Sequence, residues 1–390
     1  MPRMSEPLPV DALPASPILE LVDRVFRMRA RGEPVLGLHV GEPDFPTPPG
    51  IVAAAAEAMR EGFTHYAPAA GLPELRAAIA RGLAERKGLP VGPDDVVVLP
   101  AKFAIYATLL ATVAPGEEVL LPDPTYLFDQ PIRLAGARPV YYPLGREFGF
   151  DPAALFDAVT PRSRLAIVVS PANPTGRLLG KRDVRDLLDI AAKKELTVVS
   201  DETYESLVYE GTHVSPASVA DPGTPVVTIG SFSKRFAMTG WRAGYVVAPS
   251  PIRERIVKVV EHTLTCLPPF VQRACLWALE HAGPDADRFR EEFRERRNHL
   301  LARLDDLPGI ECVRPDGAFY AFPRFHLPIS SVEFSRRLLE EERVAVVPGV
   351  AFGARGEGHV RLSYTSPIDE LETATGRLRR FLERHGADRG

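Results

Sequence analysis

Short apolar runs recur through the middle of this chain, each bounded by turn residues. They fall at 118–121 (EVLL), 138–142 (RPVYY), 165–169 (LAIVV), 196–200 (LTVVS), 226–230 (VVTIG) and 244–248 (GYVVA). Runs that are mostly continuous rather than alternating suit strands buried on both faces. Helical patterns separate several of them, and such alternation predicts a mostly parallel sheet covered by helices, an α/β fold. DDVVVLP (94–100) adds a strand between helices expected at 73–87 and 103–113. Further helices are expected at 51–61 and from a Ser16 cap, with Pro17 at the first position, to about Arg31. VLGLHV (35–40) reads as a short strand.

The last hundred residues have a different texture. A charged helix at 285–305 leads to GIECV and GAFYAFP, then a helix at 331–342, strands near 344–347 and 359–364, and a final helix at 368–385. This pattern predicts a smaller α+β domain of residues 1–45 plus 300–390, beside a large domain of 46–299. A length of 390 residues accommodates both. The net charge of −4 gives no electrostatic reason to expect nucleic acid or an anionic membrane as partner. No apolar run approaches the roughly 18–20 residues of a membrane span. The opening MPRMSEPLPVDALPAS has no signal-peptide core and is expected to form a flexible arm. Three cysteines cannot all pair within one chain, which suits a reduced, cytoplasmic protein. Neither they nor the nine histidines show metal spacing, so no metal is expected and His39, His65 and His262 read as structural.

Polar residues collect where three successive strands end: SPANPTG (170–176), SDETYESLVY (200–209) and SFSKRF (231–236). Open α/β sheets bind ligands at those ends. Lys234 is an amine at the mouth of the sheet, and partial burial lowers a lysine pKa and frees a nucleophile toward a carbonyl. Asp201 follows a buried strand and needs a cationic partner, which a protonated pyridine nitrogen supplies. Ser231, Ser233 and Arg242 offer hydroxyls and a forked cation suited to a phosphate dianion. Aldehyde, pyridinium and phosphate together describe pyridoxal 5′-phosphate.

The stretch SFSKRFAMTGWRAG (231–244) resembles the lysine-attachment signature of the class I aminotransferases, aspartate-aminotransferase-like members among them. GEPDFPTP (41–48), YAPAAGLPELR (66–76), PDPTY (122–126), NPTG (173–176), DETY (201–204) and VRLSY (360–364) match segments of the same family in its order. The resemblance implies the fold type I architecture of pyridoxal-phosphate transferases and a ping-pong transfer of an amino group between an L-amino acid and a 2-oxo acid. By it, Lys234 forms the internal aldimine and shuttles the proton from the substrate Cα. Asp201 keeps the pyridine nitrogen protonated, Tyr204 and Asn173 bond the phenolic oxygen, and Tyr126 stacks on the ring. Ser231 and Arg242 bind the phosphate. Arg361 grips the substrate α-carboxylate beside the backbone of Gly41. Tyr66 reaches the phosphate of a neighbouring subunit, which implies a homodimer with shared sites.

One segment departs from that pattern. Where the family has a glycine-rich or serine-bearing turn opening a helix onto the phosphate, this chain has PAKFAIY (100–106). The backbone N–H groups of Ala101, Lys102 and Phe103 remain candidates for that contact. Lys102 either meets the distal carboxylate of an acidic substrate or is a solvated cation near the phosphate. The altered turn also keeps open a second reading, a non-transaminating enzyme of the same cofactor catalysing elimination, γ-substitution, cyclisation or oxidation. A third, a cofactor-sensing module fused to a DNA-binding domain, finds no segment for that domain, since the motifs begin by residue 41. PGVAFG (348–353) lacks the dinucleotide and P-loop patterns and reads as a turn before a strand.

Overall fold

The computed structural model describes residues 9–13 and 16–386, so most of the opening arm lies outside the described residues. Seven strands form the central sheet: β1 (Val96–Val98), β2 (Glu118–Asp123), β3 (Arg138–Pro143), β4 (Ser163–Val169), β5 (Thr197–Asp201), β6 (Val226–Ser231) and β7 (Gly244–Val247). Their spatial order is β1-β7-β6-β5-β4-β2-β3. The strands β6, β5, β4, β2 and β3 are mutually parallel, and β7 runs antiparallel to both β1 and β6.

Alternate residues of each central strand enter different apolar clusters. Leu165, Ile167, Val199 and Val227 pack with Ala104, Ile105, Ile256 and Val260 of the helices Ala101–Thr112 and Ile252–Glu261. Ala166, Val168 and Val198 pack instead with Val184, Leu187 and Leu188 of the helix Lys181–Lys193. Each fully buried Leu, Ile or Val side chain contributes roughly 1.5–3 kcal/mol. Val96 and Val98 join a third cluster with the helices Pro49–Arg60, Pro73–Lys87 and Pro269–His281. The helices Ile252–Glu261 and Pro269–His281 go beyond the elements expected from sequence. The second buries one stripe, Val271, Ala274, Cys275 and Ala278, but Phe270, Leu276, Trp277 and Leu279 lie off it and are half-buried, which blurs the periodicity in the sequence.

The amino-terminal segment joins the carboxyl-terminal part. Leu36 and Gly37, all that forms of the strand expected at 35–40, pair in parallel with Val344 and Ala345. Val25, Met28 and Val35 pack there on Leu339 and Ala345. The helix Gly283–Asp305 is continuous through the expected boundary at 299/300. Val360–Ser363 pairs antiparallel with both Tyr320–Ala321 and Val347–Pro348. Among the described residues no helix is long and apolar enough to cross a membrane.

A buried ion cluster braces the end of β5. Lys87, the last residue of its helix, lies 2.5 Å from both Glu202 Oε2 and Glu205 Oε2. Burial alone pulls the Lys87 pKa down, but the two carboxylates overrule it and raise it. Glu202 is 0% exposed, and its other oxygen accepts from Ser200 Oγ at 3.0 Å and Ser215 Oγ at 2.6 Å. Glu202, Glu205 and His213 bring their ligand atoms within 4.8 Å of one another, with the Lys87 ammonium among the carboxylates. Lys87→Met takes the ammonium from the fully buried Glu202 and leaves Glu205 only Arg86 at 4.0 Å, and is expected to cost about 3–5 kcal/mol. Urea unfolding monitored by circular dichroism checks this, and an unchanged midpoint contradicts it.

Candidate active site

Ser231 closes β6, and its Oγ accepts from the Ser233 N–H at 3.1 Å. This caps the short helix Phe232–Arg235, which carries Lys234. Lys234 Nζ donates to the Gly41 carbonyl at 2.5 Å and lies 5.6 Å from the centre of the Phe319 ring. Burial pulls the amine down, helped by Arg361 and Arg242 and opposed by Glu42 and Asp201, and the result is a pKa of about 8. Asp201, the last residue of β5, moves the other way. Burial raises its carboxyl, although Thr203 donates to Oδ1 from its hydroxyl at 2.6 Å and its N–H at 3.0 Å.

Arg361 lies on the short strand Val360–Ser363, 3% exposed. Its Nη1 donates to Asn173 Oδ1 at 3.1 Å and its Nη2 to the His39 carbonyl at 2.7 Å. The guanidinium carbon lies 4.5 Å from the Tyr320 ring centre and 5.0 Å from that of Phe352. Two ring contacts and a hydrogen bond from each Nη orient the fork. The hydroxyls of Tyr204 and Tyr320 are 2.8 Å apart. Burial, reinforced by that neighbour, keeps Tyr204 protonated well above the ordinary tyrosine range. His39 is pushed down to about 4 by burial and by Arg29 and Arg361, so its ring is neutral at pH 7.

These groups surround one cavity of about 260 Å³. Of the residues singled out from sequence, Gly41, Ala101, Lys102, Tyr126, Asn173, Asp201, Tyr204, Ser231, Ser233, Lys234, Arg242 and Arg361 line it. Arg242 is exposed, with φ +57°, and donates to the Thr239 carbonyl at 2.8 Å. The helix expected at 103–113 begins at Ala101, which leaves the N–H groups of Ala101, Lys102 and Phe103 ahead of the first bond, from Ala104 N to Pro100 O at 2.8 Å. The Phe103 side chain turns instead into an adjoining, mostly apolar cavity of about 520 Å³, near Tyr106. Tyr66 is 88% exposed and is not among the residues lining either cavity.

Sequence reasoning missed Tyr320, Thr203 and the helix residues Ile18 and Val22, which also line the cavity. One signal for Tyr320 lies at Gly41, where a Cβ would stand 2.0 Å from the Tyr320 hydroxyl. Glycine is required there by a residue far away in sequence.

The profile of the family described as aminotransferase class I and II matches residues 33–378. The chain belongs to that family. An aspartate aminotransferase of Pyrococcus abyssi is 40% identical over 370 residues, covering 93% of this chain and 95% of the relative. The solved aspartate aminotransferase of Thermus thermophilus with maleate superposes at a TM-score of 0.93, with 36% identity over 97% of this chain and 100% of the other. An aromatic aminotransferase of Pyrococcus horikoshii OT3 gives 0.88, with 41% identity over 94% and 99%. The expected fold type I architecture, with its mostly parallel sheet, is therefore that of this aminotransferase.

The lowered Lys234 pKa gives a direct test. The amine is free above about pH 8 and protonated below it. Addition of an aldehyde to Lys234, trapped by borohydride and quantified by peptide mass, is expected to speed up about tenfold per pH unit below that value and level off above it. A rate still climbing at pH 10 contradicts the shift.

Proposed function

We propose that this aminotransferase moves an amino group between an L-amino acid and a 2-oxo acid by a ping-pong mechanism, with pyridoxal 5′-phosphate as cofactor. The observation that carries the reading is a lysine of lowered pKa sharing one cavity with a carboxylate of raised pKa and a fixed arginine fork. The donor set fits the cofactor. Asp201, costly as a lone buried anion, gains a cation from the pyridine nitrogen. Ser231, Ser233, Arg242 and the N–H groups of Ala101, Lys102 and Phe103 would hold the phosphate, Asn173 and Tyr204 the phenolic oxygen, and Tyr126 the ring face. When bound, the cofactor supplies an electron sink that makes the substrate Cα–H bond acidic.

The chain does the rest. Arg361 grips the α-carboxylate through two N–H groups and so fixes the direction of the Cα–H bond. Lys234 Nζ takes the Cα proton; a base with a pKa of about 8 is well matched to giving it back near neutral pH. The preset charges of Asp201 and Arg361 need no reorganisation as charge develops. Phe103 lines an adjoining cavity that shares Lys102, Tyr126 and Arg242 with the first, and the altered turn by itself selects neither transamination nor another reaction. Lys102 is the cation that favours an acidic amino acid, while Ile18, Val22, Leu127 and Pro131 offer an apolar wall to larger ones.

A half-reaction screen tests this. Aspartate and glutamate are expected to convert the bound cofactor to its amine form and release a 2-oxo acid. Ammonia release without that conversion sinks the reading. In the same assay Arg361→Lys loses the fork and is expected to lower kcat/KM by about 3 kcal/mol, roughly a hundredfold.

We also infer a homodimer, with Tyr66 reaching the phosphate of the second subunit; its exposure in the single chain supports this. Sedimentation is expected to give twice the chain mass of 42.7 kDa, and a monomer excludes shared sites. A smaller domain of residues 1–45 and 300–390 is supported by the pairing of Leu36 with Val344. A cytoplasmic location is supported by three unpaired cysteines.

A further inference from the structure

Asp123 ends β2 within PDPTY, three residues before Tyr126, and is only 8% exposed. It is held by main chain that lies 232 residues further along the sequence. Its two oxygens accept from the Arg355 N–H at 3.2 and 3.3 Å, and the Ala354 N–H bonds it as well. Gly353 permits this approach, because a Cβ there would lie 2.1 Å from Asp123 Oδ1 and its φ of +128° disfavours any other residue. A second bond runs alongside, from the Thr125 N–H to the Phe352 carbonyl at 2.8 Å. The partner segment is the pair of short helical turns Gly349–Phe352 and Ala354–Gly356, where the sequence pattern marks only a turn before a strand.

That segment connects Val347–Pro348 to the strand carrying Arg361, and Val347 lies opposite Arg361 in the pairing. Phe352 within it packs its ring against the Arg361 guanidinium, 5.0 Å from centroid to carbon. A short buried carboxylate thus joins the turn bearing Tyr126 to the segment bearing Phe352. We propose that Asp123 is a positioning residue: it clamps the 349–356 connection to the Tyr126 turn and so sets the distance between the ring-stacking wall and the carboxylate-binding arginine. Asp123 itself touches neither substrate nor cofactor. Its effect reaches the reaction through Phe352 and Arg361. Three main-chain bonds to one short carboxylate hold the connection at a fixed place, even though Asp123 and Arg355 border a cavity of about 740 Å³.

The inference rests on the proposed aminotransferase reading, and its test separates the two. Maleate is titrated into cofactor-loaded protein, with the cofactor absorbance as readout. Asp123→Ala is expected to raise the maleate Kd about tenfold, and the KM of the amino-acid substrate by a similar factor, with a smaller fall in kcat. Asp123→Asn, whose amide oxygen can still accept from Arg355, is expected to stay near wild type. Gly353→Ala leaves Asp123 in place but drives the segment off it, and is expected to reproduce the Asp123→Ala change even if that variant fails to fold. Combined with Phe352→Leu, the Asp123→Ala effect is expected to shrink, because both act on one fork. Wild-type Kd and KM in both Asp123→Ala and Gly353→Ala overturn the proposal, as does full additivity with Phe352→Leu. A wild type that gives no maleate signal overturns the acidic-substrate reading, and the KM series then decides the role of Asp123.

Discussion

Burial of the central strands on both faces is the constraint that governs where chemistry can sit. Along a strand covered on both sides a polar side chain without a partner is costly. The chemistry therefore moves to the ends, where Asp201 and Ser231 are the last residues of β5 and β6. Parallel neighbours end at the same edge, so Asp201, Ser231 and the residues just beyond them gather at one place with no long loop to organise them.

The same burial sets the electrostatics. It pushes the Lys234 amine down and the Asp201 carboxyl up, so the two ionise less readily than free side chains and each is poised for a partner. Lys87 experiences burial of the same sign with the opposite outcome. Two carboxylates within 2.5 Å hold it charged, where Lys234 faces Arg361 and Arg242 as well as Glu42 and Asp201. One chain thus contains a structural lysine and a reactive one, distinguished by their neighbours rather than by their depth.

Much of this was legible in the sequence. The strand runs and their polar ends are local patterns, and most of the residues singled out from them line one cavity, Phe103 and Tyr66 apart. What escaped was set by contacts distant in the chain. Tyr320 bonds Tyr204 across 116 residues and stacks on an arginine from another strand. Thr203 is the local exception: its N–H and hydroxyl bond Asp201 two residues back, an Asx-turn spacing that DET carries in the sequence. Phe103 sits in the right turn, yet its side chain direction is set by the helix beginning at Ala101, which takes it to the neighbouring cavity. The helix Pro269–His281 is hard to see in the sequence because Phe270, Leu276, Trp277 and Leu279, off its buried stripe, are apolar as well.

The helix Gly283–Asp305 has 23 residues in one unbroken run, which at about 1.5 Å per residue makes a rod of roughly 35 Å. Along it, Arg296 grips Asp44 at 2.8 Å, a residue of the segment that also supplies Gly41 to Lys234. Its buried residues run from Ala286, packed in the cluster of Val96 and Val98, to Leu304, packed in the cluster of Leu378 and Phe381. One helix therefore acts as a splint between the sheet edge and the carboxyl-terminal strands, so the distance between Lys234 and Arg361 is held by a single rigid member.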